Sequence, residues 1–242
     1  MLRNLFFLVT LALVCSCDDG PDLVGPDDPP AQFDFDFDFD FPNLPPSLGG
    51  VNGSGNVVTE SRALGPFHAV SFSGIGHLVL EQTGSPSLTI TAEDNIQPLL
   101  VSEVVDGRLT LGVAPNTNLG RVQRIEFRLT TPALDELSVT GAASGDATNI
   151  DTDRLDVVVN GATTVTIAGR ADQQDITIRG ASTYDAAALE SRSVTVDATG
   201  ASRAVVRVSE TLTARVRGAS TVTYIGNPTV NVDGLPGTVR QQ

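Results

Sequence analysis

The sequence predicts an all-β chain whose body is a β-solenoid with about 18–20 residues per coil. Three observations carry this. An element that opens with Gly-Ala recurs five times at nearly constant spacing. Apolar and polar residues alternate on both sides of each recurrent glycine. The body has no stretch with the 3.6-residue period of a helix.

The five elements are Gly141-Ala142-Ala143-Ser144, Gly161-Ala162-Thr163-Thr164, Gly180-Ala181-Ser182-Thr183, Gly200-Ala201-Ser202-Arg203 and Gly218-Ala219-Ser220-Thr221. Successive glycines stand 20, 19, 20 and 18 residues apart, which suits one coil per repeat. Two and four residues before each glycine the side chains are apolar, as in Val159 and Val157 or Ile178 and Ile176. Four and six residues after it they are apolar or small, as in Val165 and Ile167 or Tyr184 and Ala186. The positions between are almost all polar. Each repeat therefore reads as strand, glycine corner, strand. Glycine suits the corner because it tolerates positive φ. The sequence suggests that the following Ala sits inside the bend and that the Ser or Thr hydroxyl bonds to local backbone.

Gly74 and Gly234 are expected to extend the set of corners at the two ends. Gly74 has Phe72 and Val70 before it and Leu78 and Leu80 after it; Gly234 has Val232 and Val230 before it. Between Gly74 and Gly141 the register breaks. Ser87–Thr91, Arg108–Val113 and Ile125–Leu129 read as strands, with a turn at Asp106-Gly107. That region is expected to be an atypical N-terminal β cap, which blocks edge-to-edge association.

The N-terminus carries an export signal. Arg3 precedes the apolar run Leu5–Val14, which is too short to span a bilayer. Val14-Cys15-Ser16-Cys17 resembles the bacterial lipobox, so residues 1–16 are expected to be a lipoprotein signal peptide and Cys17 the lipidated cysteine. Attachment to a membrane is then through lipid. Residues 17–50 read as an acidic, proline-rich tether that includes Phe33-Asp34-Phe35-Asp36-Phe37-Asp38-Phe39-Asp40-Phe41. This run is either a low-complexity spacer or a segment that adds to a sheet edge or touches the membrane surface. As a coil the tether reaches on the order of 30 Å. Residues 51–240 form the β domain.

Composition excludes several function classes. The net charge is −14, and arginine supplies all 15 basic residues, which argues against nucleic acid as a partner. The chain has no Trp, and only 5% of it is aromatic, so large stacking platforms for sugars are not expected. Loss of Cys15 with the signal peptide leaves a domain without disulfides.

Ser73-Gly74-Ile75-Gly76, the later Gly-Ala-Ser turns and the strand Arg108–Leu111 after Asp106-Gly107 give the chain a family resemblance. It resembles the head GIN domain family, described as putative auto-transporter adhesins, over about residues 55–240. The resemblance implies a right-handed parallel β-helix or β-solenoid. It also implies an exported protein, held at the cell envelope by lipid and most often at the outer membrane.

Parallel β-helices also include polysaccharide lyases and hydrolases, which use clustered carboxylates or a positioned base. Asp146, Asp151, Asp153 and Asp156 lie close together in sequence, as do Asp172 and Asp175, but none has calcium-loop spacing. His68 and His77 without a Cys partner make a poor metal site. No Gly-x-Ser-x-Gly elbow anchors a hydrolase triad. Arg179, Arg203, Arg215 and Arg217, with Arg207 further along, are the candidate binding residues, for an acidic glycan or an envelope protein. The expectation is a non-catalytic structural or adhesion module with no cofactor, no metal and no enzymatic activity. The alternative is a carbohydrate-active β-helix enzyme.

Overall fold

The computed structural model describes residues 50–234 and 238–242. The signal peptide, Cys17 and the Phe-Asp run of the tether lie outside the described residues.

The described chain is built of strands and one short 3-10 turn, Gln97–Leu99. The N-terminal strands are β1 (Val57–Arg62), β2 (Ala69–Gln82), β3 (Ser87–Glu93), β4 (Leu100–Val105), β5 (Arg108–Val113) and β6 (Ile125–Thr131). Four long, bent strands follow: β7 (Glu136–Gly161), β8 (Thr164–Gly180), β9 (Thr183–Gly200) and β10 (Arg203–Gly218). The chain closes with β11 (Thr221–Ile225), β12 (Thr229–Gly234) and β13 (Val239–Gln241). Strands β2, β7, β8, β9 and β10 pair in parallel, each with the next, in a solenoid of about five turns.

The alternating pattern explains this stack. Register places Val157, Ile176, Val196 and Ala214 side by side, and likewise Val159, Ile178, Ala198 and Val216. All eight are buried, as are Val165, Tyr184, Ala204 and Val222 on the far side of the corner. Each full burial of a Val or Ile contributes about 1.5–3 kcal/mol. The column with Tyr184 mixes sizes, so a large ring sits between the smaller Val165 and Ala204.

At the corner, Gly74, Gly141, Gly161, Gly180, Gly200 and Gly218 all have positive φ. They stack directly. A Cβ on Gly161, Gly180 or Gly200 would stand 2.3, 2.5 or 2.4 Å from the carbonyl oxygen of the glycine one coil before it. That oxygen accepts the N–H of the Ala after the stacked glycine: Ala162, Ala181, Ala201 and Ala219 donate at 2.8–2.9 Å. Glycine is thus required twice, by φ and by the close approach of the next backbone.

Two sequence expectations change here. The Ala of each element is exposed, while Thr163, Ser182, Ser202 and Ser220 are buried inside the bend. The Ala N–H is already bound to the neighbouring coil, so its side chain turns outward. The next residue turns inward; Ala143 holds this place in the first element, and in the other four a Thr or Ser does, whose hydroxyl can reach the carbonyls around it. Ser182 Oγ donates to Gly161 O or Arg179 O, both at 3.0 Å, and Thr163 and Ser202 repeat the geometry. Gly234 is not on the glycine column. It pairs with Val216, two residues short of Gly218, and is absent from the positive-φ glycines. The last coil therefore enters one pleat repeat out of step with the sequence alignment.

The N-terminal end is an atypical cap. Strand β2 has β7 on one side; on the other it has β5 along its first half and β6 along its second. Antiparallel strands β4 and β3 then cover β5 and β6, and β1 covers β3. The β4–β5 hairpin turns at Asp106 and Gly107, with φ of 50° and 76°, which suits the Asp-Gly pair. At the opposite end β11 and β12 each pair with β10, and Val232 remains 49% exposed.

Candidate functional site: a charged groove on the outer side of the coils

The outward positions form their own columns, and these carry the polar chemistry. On the strands after the glycine corner, one column runs Glu126, His77, Ser144, Thr164, Thr183, Arg203, Thr221. Within it, the ring Nδ1 of His77 lies 2.8 Å from Ser144 Oγ, and its Nε2 lies 3.3 Å from Asp146 Oδ2. Serine, imidazole and carboxylate are thus linked. They sit on a sheet face where β2 and β7 run in parallel register. His68 lies 3.3 Å from Asp135 and packs over Gly107, where its ring leaves no room for a Cβ. Among the described residues, no group of three His, Cys, Asp or Glu could hold a metal ion.

Three of the six carboxylates singled out in the sequence, Asp156, Asp172 and Asp175, are held by arginine. Arg154 binds Asp156 at 3.2 Å and Asp175 at 2.7 Å, and Arg170 binds Asp172 at 2.8 Å. Asp153 shares a hollow with Asp135, Arg154 and Asp156, Asp151 stands in register beside Arg170, and Asp146 contacts His77 instead. The four candidate arginines also spread out. Arg179 and Arg217 flank Thr199 before the corner; Arg215 faces Asp233 at 3.9 Å; Arg203 lies beyond the corner. Among the described residues Arg179, Arg203 and Arg217 make no ion pair.

A further concavity lies at the second bend of the coil. It is an open groove of about 540 Å³, a size that accommodates a small ligand. Sequence reasoning noted two of its residues, Asp172 and Arg207, and missed Arg170, Glu190 and Arg192. Register aligns Asp151, Arg170, Glu190 and Arg207 across four successive strands, alternating in sign. Arg170 is tied to Asp172, and Arg192 to Glu210 at 2.8 Å. These carboxylates raise the pKa of both guanidiniums above the ordinary arginine value, chiefly through the hydrogen bonds themselves.

Arg207 differs from the other two. Its Nε donates to Ala187 O at 2.7 Å, and its neighbour on the following strand is Ile225 instead of an acid. Among the described residues it has no carboxylate within ion-pairing distance. Ser209 brings a hydroxyl to the groove and donates it to Ser191 O at 3.2 Å, whereas the buried Ser191 hydroxyl accepts from Gln174 Nε2. Asn227 closes the far end, where its Oδ1 accepts from Gln241 of β13 at 3.1 Å.

The profile of the family described as "Putative auto-transporter adhesin, head GIN domain" matches residues 66–228. The structure is similar to a crystal structure of a putative adhesin from Bacteroides fragilis NCTC 9343, at 21% identity and a TM-score of 0.65, over 80% of this chain and 100% of that one. It is also similar to a putative adhesin from Parabacteroides distasonis ATCC 8503, at 18% identity and a TM-score of 0.52, with 80% and 100% covered. At these identities the likeness shows the fold. No curated protein matches the sequence.

Proposed function

Because the chain belongs to the head GIN domain family, we propose that it is a non-catalytic adhesion module of the cell envelope, held to the outer membrane by lipid on Cys17. One observation carries the adhesive part. Each coil presents outward side chains in register with the next, at about 4.8 Å per strand, and the concavity among them is an open groove instead of an enclosed chamber. Such a surface binds by several shallow contacts, and its partner is a glycan or an envelope protein. The Val-Cys-Ser-Cys17 sequence supports the anchor.

The test has two parts. Cys17→Ser should move the protein from the membrane fraction to the soluble fraction; continued pelleting with membranes would refute the anchor. Protease added to intact cells should digest the β domain, and cells lacking the protein should adhere less to a glycan-coated surface. Unchanged adherence would remove the adhesion reading.

A second reading, the carbohydrate-active enzyme, draws on the Ser144–His77–Asp146 contact. It requires product release from acidic polysaccharides that disappears in Asp146→Ala. The adhesion reading expects no product from either protein.

A further inference from the structure

We propose that the groove at the second bend binds a carboxylate-bearing sugar, a uronate unit within an acidic polysaccharide. This rests on the adhesion reading and names its ligand class.

The composition of the groove selects the ligand. Three guanidiniums, those of Arg170, Arg192 and Arg207, line one open space together with the carboxylates of Asp172 and Glu190 and the hydroxyl of Ser209. Two guanidiniums are occupied by acids; Arg207, beside Glu190 in register, has no carboxylate within ion-pairing distance among the described residues. A planar guanidinium pairs with a carboxylate through two parallel N–H donors. With Nε engaged on Ala187 O, Arg207 retains its terminal NH₂ groups for an anion. The groove thus offers one strong position for a single negative charge.

The surrounding carboxylates decide the rest. A densely charged ligand such as a sulfated chain or a phosphate would meet Asp172 and Glu190 as like charges. A sugar hydroxyl would instead donate to them, as it would to Ser209. A ligand with one carboxylate and several hydroxyls satisfies both kinds of lining, and a uronate has that ratio. Ile225 supplies an apolar contact for the C–H face of a ring.

The local charge balance agrees. Residues 176–242 hold five acidic residues against seven arginines, whereas residues 51–175 hold fifteen against seven. The groove lies largely in the part of an acidic protein that does not repel an anion.

Titration calorimetry of the full chain tests this, with a galacturonate oligosaccharide, its neutral galactose counterpart and a sulfated oligosaccharide of equal length. The uronate should bind with a Kd on the order of 0.1–1 mM, and the other two at least tenfold more weakly. Arg207→Ala should weaken uronate binding at least tenfold, while Arg121→Ala, exposed at the N-terminal cap, should leave it unchanged. Should Arg207→Ala lose its fold with the Ala187 contact, Arg192→Gln on the same groove gives the same reading. Equal affinity for the neutral or sulfated chain, an equal loss in Arg121→Ala, or no uronate binding would each overturn the proposal. If uronate binding fails while cells still adhere, the ligand assignment falls and the adhesion reading stands.

Discussion

At the scale of single residues, the repeat is governed by three positions with different duties. The glycine permits the next backbone to approach, the alanine faces out, and the serine or threonine fills the bend. Gly180→Ala should therefore be costly. Its φ of +82° alone costs about 1–3 kcal/mol for an L side chain. The added Cβ would also stand 2.5 Å from Gly161 O, a backbone atom that cannot rotate away. Urea denaturation should show a loss at least that large. The neighbouring pair separates the two arrangements of the bend. Ser182→Ala should cost about 0.5–1.5 kcal/mol, since a buried hydroxyl that serves two carbonyls is lost. Ala181→Ser should fall within about 0.5 kcal/mol of the parent, because the side chain is exposed. The reverse order would restore the sequence-based picture with alanine inside.

At the scale of the strand, a long polar side chain interrupts one of the apolar inward columns. Gln174 stands in the column of Leu155, Val194 and Leu212, fully buried. It is tolerated because Tyr184, itself buried, donates its hydroxyl to Gln174 Oε1 at 2.8 Å, and Gln174 Nε2 donates to Ser191. Burial drives the Tyr184 pKa up, so the phenol remains protonated and a donor. Tyr184→Phe should leave Gln174 Oε1 unpaired at a cost of about 1–3 kcal/mol, read by equilibrium denaturation. Adding Gln174→Leu should recover part of that loss. Val157→Asp tests the regular part of the same face: an unpaired charge at a buried position should cost several kcal/mol, and an unchanged melt would refute the inward register.

These elements also show why some of the fold was legible and the groove was not. Around the corner the strands keep a strict period of two, so residues up to six from each glycine, Tyr184 and Ala186 among them, could be assigned inward by counting. The second bend breaks that count. Register shifts fall between Thr166 and Ala168, Val206 and Arg207, and Val208 and Thr211. Arg170, Glu190 and Arg207 are neighbours in space, yet they stand nine, ten and seven residues after their own glycines. No fixed offset could have joined them. A search for alternating charge among aligned repeats, tolerant of one-residue bulges, was the available signal.

At the scale of the whole β domain, the two ends differ, and the difference has a pH signature. The regular coils are held mainly by apolar columns, which do not titrate. The cap side carries the carboxylates whose ionisation matters most. Arg124 and Arg128 both bind Glu126, which is almost fully buried, and hold its carboxyl below the ordinary range, the Arg124 hydrogen bond contributing most. Arg108 grips Glu136 with two bonds, at 2.7 and 2.6 Å, and lowers its pKa likewise, here between β5 and β7. A carboxylate whose folded pKa is depressed adds stability above its unfolded value of about 4.3, and that stability is lost as pH falls through the folded value. The melting temperature should therefore be level from neutrality to about pH 5 and fall below it. Glu136→Gln should melt lower than the parent at pH 7, by an amount worth at most about 1 kcal/mol for a partly exposed pair. The two curves should converge at about pH 2–3, where the parent's carboxylate is protonated too. Because the loss starts at the cap, hydrogen exchange in acid should accelerate first in β2, β5 and β6, with β8 to β10 protected longest. Uniform acceleration across all strands would mean that the cap and the coils open as one unit.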